Sequence, residues 1–527
     1  MSTVLLPTPI TPLSRRASAY PSILPTTRGL PPLAIGRILR EVAYMIALLS
    51  LNQAGEWGSG VFFVVLAAMA LYSTETAIKA LGLMWLGLMI NTALVPKTLT
   101  WTPCRLALPY LAMVRFMIDA LSIRQWFFTQ PHYVAFVSYC VVMAICSAVS
   151  GWFTTIALFK LGNFWLTTTA ILLGGSILVR KRVDPGEWVI ALSLTGIAAG
   201  CVAIALGVQN SLFRYGRVTD QFTGAFLHPN CHATYASLFV TFLTAVFVYS
   251  RYRHRWLMFP MAIAWLIFMA WSKSRTSFSA TLAGMLILIV FGGSTTRLAG
   301  WIRRSNVSRT TLYTMIGSLC LLGTIYDLAS GNALSSGAAA FINKGRVQGD
   351  DSSDTFIDSL AVVQSRRGLI EYSMKNFGEN PIFGIGFQVA KTEEFARTAT
   401  LFTAPAEKGF MPTALLEEGG LVGTTFFMIW IVALLATLLT RRNVPGLMVF
   451  AAFFMSSMTE VTLFSPGGVG GFGWVMVTAA ITFGEACWMN GNQSPKTGLM
   501  VDARGPSGRS IPRGSLSPEV ITSSRRG

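Results

Sequence analysis

The sequence predicts an all-α membrane protein, a polytopic bundle of about 12–14 transmembrane helices. Of its 527 residues, 53% are hydrophobic and only 12% are charged, and the mean hydropathy is +0.55. That composition is too apolar for a soluble protein. Apolar runs of roughly 17–22 residues recur along the chain, which is the length that crosses about 30 Å of hydrocarbon as a helix. They lack the alternating pattern of an outer-membrane β-barrel.

Each long apolar run is a candidate span. We count about fourteen runs, or twelve to thirteen spans if two early runs are re-entrant or interfacial. The membrane domain then covers residues 38–490. The runs are centred near residues 46, 67, 86, 110, 141, 170, 198, 241, 263, 284, 319, 430, 451 and 480.

The positions of the basic residues predict the orientation in the membrane. Lys and Arg cluster in short loops at 180–182, 251–255, 303–309 and 441–442. Such loops face the cytoplasm, so the net charge of +18 reflects topology and does not indicate nucleic-acid binding. The segment 1–37, rich in Pro, Ser and Thr, and the segment 491–527 are predicted to be disordered cytoplasmic tails.

This orientation assigns the segments 210–230, 272–277, 329–410 and 455–470 to the opposite side of the membrane, here called the outer face. Segment 329–410 is too long for a simple connection. These segments and the span ends next to them carry polar residues in four groups. The first is Arg217 with His228, Asn230 and His232, in or just before the stretch GAFLHPNCHATYASL. The others are Lys273 with Arg275, Arg366, and Glu417 with Glu418 at the mouth of a span.

Each of these residues also has a structural interpretation. Cations at span ends extend towards the headgroups, Asn230 can cap the following helix, and Glu417 can favour a helix N-terminus. Three arginine-bearing segments on one face, with few carboxylates beside them, nevertheless indicate a site for a phosphate-bearing lipid, because guanidinium groups bind phosphate bidentately. The spacing of His228, Cys231 and His232 does not suggest a metal site.

In this order, the motifs resemble those of the O-antigen polymerase and O-antigen ligase superfamily. The resemblance covers about residues 205–440. It rests on Arg217, Gly224, His228-Pro229-Asn230 with Ala233, Ser274-Arg275-Thr276-Ser277, Arg366, Asn380-Pro381-Ile382-Phe383-Gly384-Ile385-Gly386 and Glu418-Gly419-Gly420-Leu421-Val422-Gly423.

The resemblance implies a fold similar to GT-C-type membrane glycosyltransferases, with 329–410 as a periplasmic loop. It implies a multi-pass protein of the bacterial inner membrane that joins undecaprenyl-diphosphate-linked oligosaccharide repeat units for exopolysaccharide, capsule or O-antigen, without metal or cofactor. By the same resemblance, the diphosphate is bound by Arg217, Arg275 and Arg366, the candidate catalytic residues are His228, His232 and Glu418, and Asn230, Lys273 and Glu417 are substrate-binding or structural.

One departure from the family pattern bears on the activity. Members often carry a His about nine residues before the last Glu, a place held here by Gly409 and Phe410, beside Lys408. This favours a polymerase over the first alternative, a ligase that transfers carrier-linked glycan to lipid A-core. The second alternative is a flippase for lipid-linked glycan. Membrane lipids, a chain-length regulator and export proteins are further candidate partners, and nucleic acid is not.

Overall fold

A computed structural model describes residues 34–122, 127–207, 212–215, 218–250, 252, 254–272, 274–292, 366–401, 408–465 and 467–492. Residues up to Cys487 belong to one compact unit, and a second unit begins at Trp488. The predicted site residues Arg217 and Lys273 lie outside the described residues, as do most of both predicted tails and the part of the segment 329–410 before Arg366.

The first half of the described chain contains seven α-helices. Their bounds are α1 Ile35–Leu51, α2 Gly55–Tyr72, α3 Thr74–Met89, α4 Trp101–Ser122, α5 Pro131–Ser150, α6 Thr154–Lys181 and α7 Gly186–Ala205. Helix α1 begins inside the segment 1–37 that the sequence predicts as a disordered tail. The buried Ile38 in its first turn explains this earlier start, because it gives that turn a packing contact.

A short β-hairpin follows α7, within the segment 210–230 that the sequence predicts to be at the outer face. Strands β1 Leu212–Tyr215 and β2 Val218–Phe222 pair antiparallel, with Leu212 opposite Phe222. The aromatic and β-branched residues of this stretch favour extended backbone. The segment that follows the hairpin is tied to the end of α3, because Asn91 donates its N–H to the Ala225 carbonyl and Leu227 donates to the Met89 carbonyl at 2.9 Å.

Eight more helices complete the described chain. They are α8 Pro229–Tyr249, α9 Met258–Trp271, α10 Arg275–Gly292, α11 Arg367–Glu379, α12 Glu393–Thr398, α13 Met411–Thr440, α14 Val444–Glu460 and α15 Val469–Asn492. Helix α8 begins close to the predicted residue 230, with proline at its first position, where a missing N–H is tolerated. Helices α11 and α12 lie within the segment 329–410, which the sequence predicts to be at the outer face.

The helical membrane character that the sequence predicts is confirmed. Among the described residues, seven helical segments are long and apolar enough to cross a membrane: Ile35–Tyr72, Pro131–Ser150, Thr154–Lys181, Gly186–Ala205, Pro229–Tyr249, Met411–Thr440 and Val469–Cys487. Shorter apolar helices occur at Arg255–Trp271, Arg275–Phe291 and Val444–Thr459. Thirteen predicted run centres fall within described helices, and the one near 319 lies outside them. The total of 12–14 spans stays a prediction.

Helices α5, α6 and α13 are joined through aromatic side chains. The rings of Phe136 on α5 and Phe164 on α6 lie 5.7 Å apart, and Phe136 is 4.8 Å from the Trp430 ring on α13. Trp430 in turn stacks on Trp474 of α15 at 5.6 Å. These fully buried rings hold the three helices side by side, so residues at matching heights on them can form common sites.

Candidate functional site

Helix α13 is interrupted at Gly420, and the segment Asn380–Phe387 lies against the break. Ile385 and Gly386 donate their N–H groups to the carbonyls of Glu417 and Glu418, at 2.8 and 3.0 Å. On the other side of the break, Leu421 donates to the Pro381 carbonyl at 2.9 Å. The 380–387 segment therefore supplies the partners that a broken helix would otherwise lack. Two motifs that are separate in the sequence form one unit here.

Glycine is required at two points of this contact. Gly420 has φ 58° and ψ −160°, a conformation that is essentially restricted to glycine. A Cβ at this position would lie 2.3 Å from the Ile382 carbonyl oxygen. Gly384 has φ +67°, and a Cβ there would lie 2.5 Å from the Glu417 carbonyl oxygen. The close approach of the two backbones thus depends on these glycines.

Glu417 is the centre of a buried polar network. Its Oε2 accepts from Ser373 Oγ at 2.7 Å and its Oε1 accepts from Asn376 Nδ2 at 2.7 Å, both on α11. Lys408 Nζ forms an ion pair with Oε2 at 2.9 Å, and the two side chains are 4% and 0% exposed. With both of its carboxylate oxygens hydrogen-bonded, Glu417 connects α11 to α13. Of its two predicted roles, substrate binding and structural support, these contacts favour structural support.

Glu418 lies beside a second buried lysine. The main chain of Gln388 hydrogen-bonds the Glu418 carboxylate, and both Lys160 and Lys408 attract it electrostatically. Lys160, on α6, also donates Nζ to the Gln388 carbonyl at 3.0 Å, and Lys408 donates to the Val389 carbonyl at 2.6 Å. Glu417, Glu418, Lys160 and Lys408, here called the buried charge cluster, therefore place two carboxyl groups beside two lysine amines.

Arg366 and the Ser274–Ser277 segment meet at one residue of α14. Arg366 Nη1 donates to the carbonyls of Gly409, at 2.9 Å, and of Thr459. The Thr459 hydroxyl donates to the Thr276 hydroxyl at 3.0 Å, and Arg275 is the first residue of the same helix, α10. Because Gly409 follows Lys408, these contacts extend to the edge of the buried charge cluster. Segments carrying Arg275, Arg366 and Glu417 are thus linked by contacts.

The two histidines of GAFLHPNCHATYASL have different surroundings. His228 is the exposed N-cap of α8, and its Nδ1 accepts the Asn230 N–H at 3.2 Å. The cap expected from the Asn230 side chain is therefore made by His228, because His228 precedes the helix and Asn230 is already inside it. His232 is fully buried, with its ring 5.1 Å from Phe226 and 5.8 Å from Trp265. Its position inside the protein does not favour contact with a substrate.

Capping by His228 leads to a stability prediction. Because Nδ1 accepts a backbone N–H, His228→Ser keeps an acceptor at the N-cap, whereas His228→Ala removes it. We expect the alanine variant to lose about 0.5–2 kcal/mol of unfolding free energy and the serine variant to stay close to wild type. Denaturant unfolding of the purified protein in detergent measures both. Equal destabilisation of the two variants would show that the ring does not act as a cap.

Glu379 and Lys97, which lie outside the candidate spans, have shifted pKa values. Lys391 Nζ is 2.8 Å from Glu379 Oε2, and this hydrogen bond holds the pKa of the Glu379 carboxyl below its usual value. Lys97, in the loop between α3 and α4, donates to the carbonyls of Gly87 and Val95. Burial lowers the pKa of Lys97 to about 7. Lys97 is therefore an amine that can lose its proton near neutral pH.

Several residues of the site are not among those predicted from the sequence. They are Lys160, Ser373, Asn376, Gln388, Lys408 as an ion-pair partner, and Thr459. Lys160 carries a recognisable signal, since an ionisable residue inside an apolar run marks a functional site by default. Ser373, Asn376 and Thr459 carry none, because common polar residues acquire a role only when their helices pack together.

Neither a scan of protein-family models nor a search of curated proteins finds a match for this chain. The chemistry of the site therefore has to be inferred from its geometry. Anchored on two carbonyls, the Arg366 guanidinium has a fixed orientation, which suits binding of a phosphate. Glu418, 4% exposed and close to two ammonium groups, is a carboxylate that can exchange a proton with a substrate hydroxyl.

Proposed function

We propose that this protein is a polysaccharide polymerase of the bacterial inner membrane, a glycosyltransferase that joins undecaprenyl-diphosphate-linked oligosaccharide repeat units at the periplasmic face. The resemblance of the motifs is one support. The observation that carries the proposal is the meeting at Thr459 of the segments that bear Arg275 and Arg366, next to the buried charge cluster. The proposed orientation has both termini in the cytoplasm and a fold of the GT-C type.

In this proposal, Arg275 and Arg366, with Arg217, hold the diphosphate of the donor. The acceptor hydroxyl attacks the anomeric carbon of the donor sugar, and the bond from that carbon to the diphosphate oxygen breaks. The electron pair of that bond leaves with the polyprenyl diphosphate. Guanidinium groups placed at that oxygen stabilise the negative charge that develops there, which lowers the barrier.

The hydroxyl proton needs an acceptor, and Glu418 is the best placed of the three predicted catalytic side chains. It belongs to the buried charge cluster, close to the segment that carries Arg366. His228 already uses Nδ1 to accept from the backbone, and His232 is enclosed by aromatic rings. Because the polyprenyl diphosphate is a good leaving group, the acceptor hydroxyl needs to be deprotonated only to a modest extent.

Replacement of the arginines tests the proposal in cells. Arg275→Ala and Arg366→Ala should each lower the rate of chain growth by about 10²–10³, by analogy with removal of an oxyanion donor. Long polysaccharide should disappear while lipid-linked single repeats accumulate, as gel analysis of glycan and of extracted lipid would record.

Arg367→Ala is the matched control, because Arg367 is adjacent to Arg366 but pairs with the exposed Glu371 at 2.7 Å. It should leave the chain-length distribution unchanged. All three variants are compared at equal amounts in the membrane. Wild-type chain length in both Arg275→Ala and Arg366→Ala would rule out the proposed role of these arginines.

A further inference from the structure

A cavity lies at the other ends of the helices that form the candidate site. Its lining includes Gln130 and His132 at the start of α5, Arg180 near the end of α6, and Arg441 just after α13. The buried charge cluster is at the opposite ends of these helices, because Lys160 lies near the start of α6 and Glu417 and Glu418 lie near the start of α13. From the break at Gly420 to Thr437, which lines the cavity, is seventeen residues, or ~26 Å at the helical rise per residue, close to the thickness of the hydrocarbon layer.

The cavity has a volume of about 210 Å³ and a cationic polar side. Arg180 and Arg441 come from two different helices, and the hydroxyl of Thr437 and the amide of Gln130 add hydrogen-bonding groups. Of the described residues that line it, none is acidic. Two guanidinium groups without a carboxylate in the same lining favour an anionic ligand.

A buried hydroxyl points to the same conclusion. Thr478, on α15, lines the cavity and is only 3% exposed, yet its Oγ1 has no hydrogen-bond partner in the part of the chain that the structure describes. Buried hydroxyls in proteins almost always have a partner. Gly175 of α6 lies directly against the Thr478 methyl group, since a Cβ at Gly175 would be 2.2 Å from Cγ2. This contact restricts the side chain to its place in the lining.

The remaining wall of the cavity is apolar. It includes Phe127, Leu172, Leu434 and Leu438. A small soluble anion gains no favourable contact from apolar side chains. A lipid, in contrast, places its phosphate among the polar groups and its hydrocarbon chain along the apolar ones. The combination of one cationic side, one apolar side and a position at a helix end is therefore that expected for a lipid headgroup site.

We propose that this cavity binds the phosphate headgroup of an anionic membrane lipid, on the side of the membrane opposite the candidate catalytic site. Arg180 and Arg441 bind the phosphate oxygens, and the Thr478 hydroxyl donates a hydrogen bond to the ligand. This site is separate from the polymerase proposal, because none of its residues belongs to the buried charge cluster or to the motifs that carry the resemblance.

Variants of single arginines can distinguish binding in the cavity from a general attraction between basic loops and anionic headgroups. Arg442 is adjacent to Arg441 and also exposed, but it does not line the cavity. If only net charge mattered, removing either arginine would have the same effect. Binding in the cavity makes the effect of Arg441 specific.

The test is native mass spectrometry of the full-length protein with dioleoyl phosphatidic acid, and with dioleoyl phosphatidylcholine as the zwitterionic comparison. Arg180→Gln and Arg441→Gln should each weaken phosphatidic acid binding about tenfold or more, the effect of losing a hydrogen bond to a charged group. Thr478→Val, which keeps the shape of the side chain, should also weaken binding. Arg442→Gln should bind as wild type, and phosphatidylcholine should bind weakly to all.

Equal losses in Arg441→Gln and Arg442→Gln would overturn the proposal, and so would equal binding of the two lipids to the wild type. Inorganic phosphate is added as a competitor to distinguish the two sources of a phosphate group. Displacement of the lipid only at a large excess of phosphate supports a lipid site, and displacement at comparable concentrations would assign the cavity to free phosphate instead. Unchanged thermal midpoints of the variants in detergent confirm that each is folded.

Discussion

Replacing Lys408 with methionine should lower the free energy of unfolding by about 3–5 kcal/mol, the usual cost of breaking a buried ion pair by removing one partner. Lys408 and Glu417 are almost completely buried, 2.9 Å apart. Methionine fills a similar volume but leaves the Glu417 carboxylate with only the hydrogen bonds from Ser373 and Asn376. Denaturant unfolding in mixed micelles measures the change.

Two further variants separate the ion pair from other effects of the substitution. The double variant Lys408→Met with Glu417→Gln removes both charges, so its loss should be smaller than the sum of the two single losses. Arg367→Gln breaks the exposed pair with Glu371, whose side chains are 58% and 63% exposed, and should cost at most about 1 kcal/mol. Similar losses for Lys408→Met and Arg367→Gln would contradict the buried position of Lys408.

Gly420→Ala should destabilise the protein through the contact between α13 and the segment 380–387. The backbone conformation of Gly420 alone costs a non-glycine residue about 1–3 kcal/mol. The new Cβ would also meet the backbone of Ile382, which cannot move aside as a flexible side chain would. We therefore expect a lower thermal midpoint together with loss of activity, since Glu417 and Glu418 immediately precede the break.

Gly384→Ala should behave in the same way, because its Cβ would meet the backbone of Glu417 and Glu418. Gly378→Ala provides the control. Gly378 lies in α11 with no other atom near its Cβ position, and alanine in a helix is favoured over glycine by roughly 0.5–1 kcal/mol. If Gly420→Ala were as stable as Gly378→Ala, the two backbones would not be in the close contact described here.

Most helices could be predicted from the sequence, because each apolar run must form its own backbone hydrogen bonds in hydrocarbon. Two other features of the fold could not be predicted in this way. The hairpin Leu212–Phe222 follows local aromatic and β-branched composition, which a hydropathy window does not detect. The break at Gly420 depends on an approach by residues 380–387, and no local pattern in α13 reports a contact with a distant segment.

The candidate site could be predicted only in part. Counting charges on one side of the membrane was enough to group the segments of Arg275, Arg366 and Glu417. The sequence could not identify Lys408 as the ion-pair partner of Glu417, because this pairing depends on the two side chains being buried next to each other. It also could not separate His228 from His232, since the difference between a helix cap and a core residue depends on packing against α9.

The most direct test of the proposed function is polymerisation by the purified full-length protein in lipid bilayers, supplied with defined undecaprenyl-diphosphate-linked repeat units. The proposal predicts a ladder of carrier-linked products of two or more repeats, with release of undecaprenyl diphosphate. Arg366→Ala should slow the formation of this ladder by about 10²–10³, and Arg367→Ala should not.

The same assay separates the alternatives. A ligase would leave the repeats unjoined and transfer them only when lipid A-core is added, and a flippase would move them across the bilayer without forming a new glycosidic bond. A ladder that depends on Arg366 is the result that the polymerase proposal predicts. Repeat units that remain single with folded wild-type protein would contradict it.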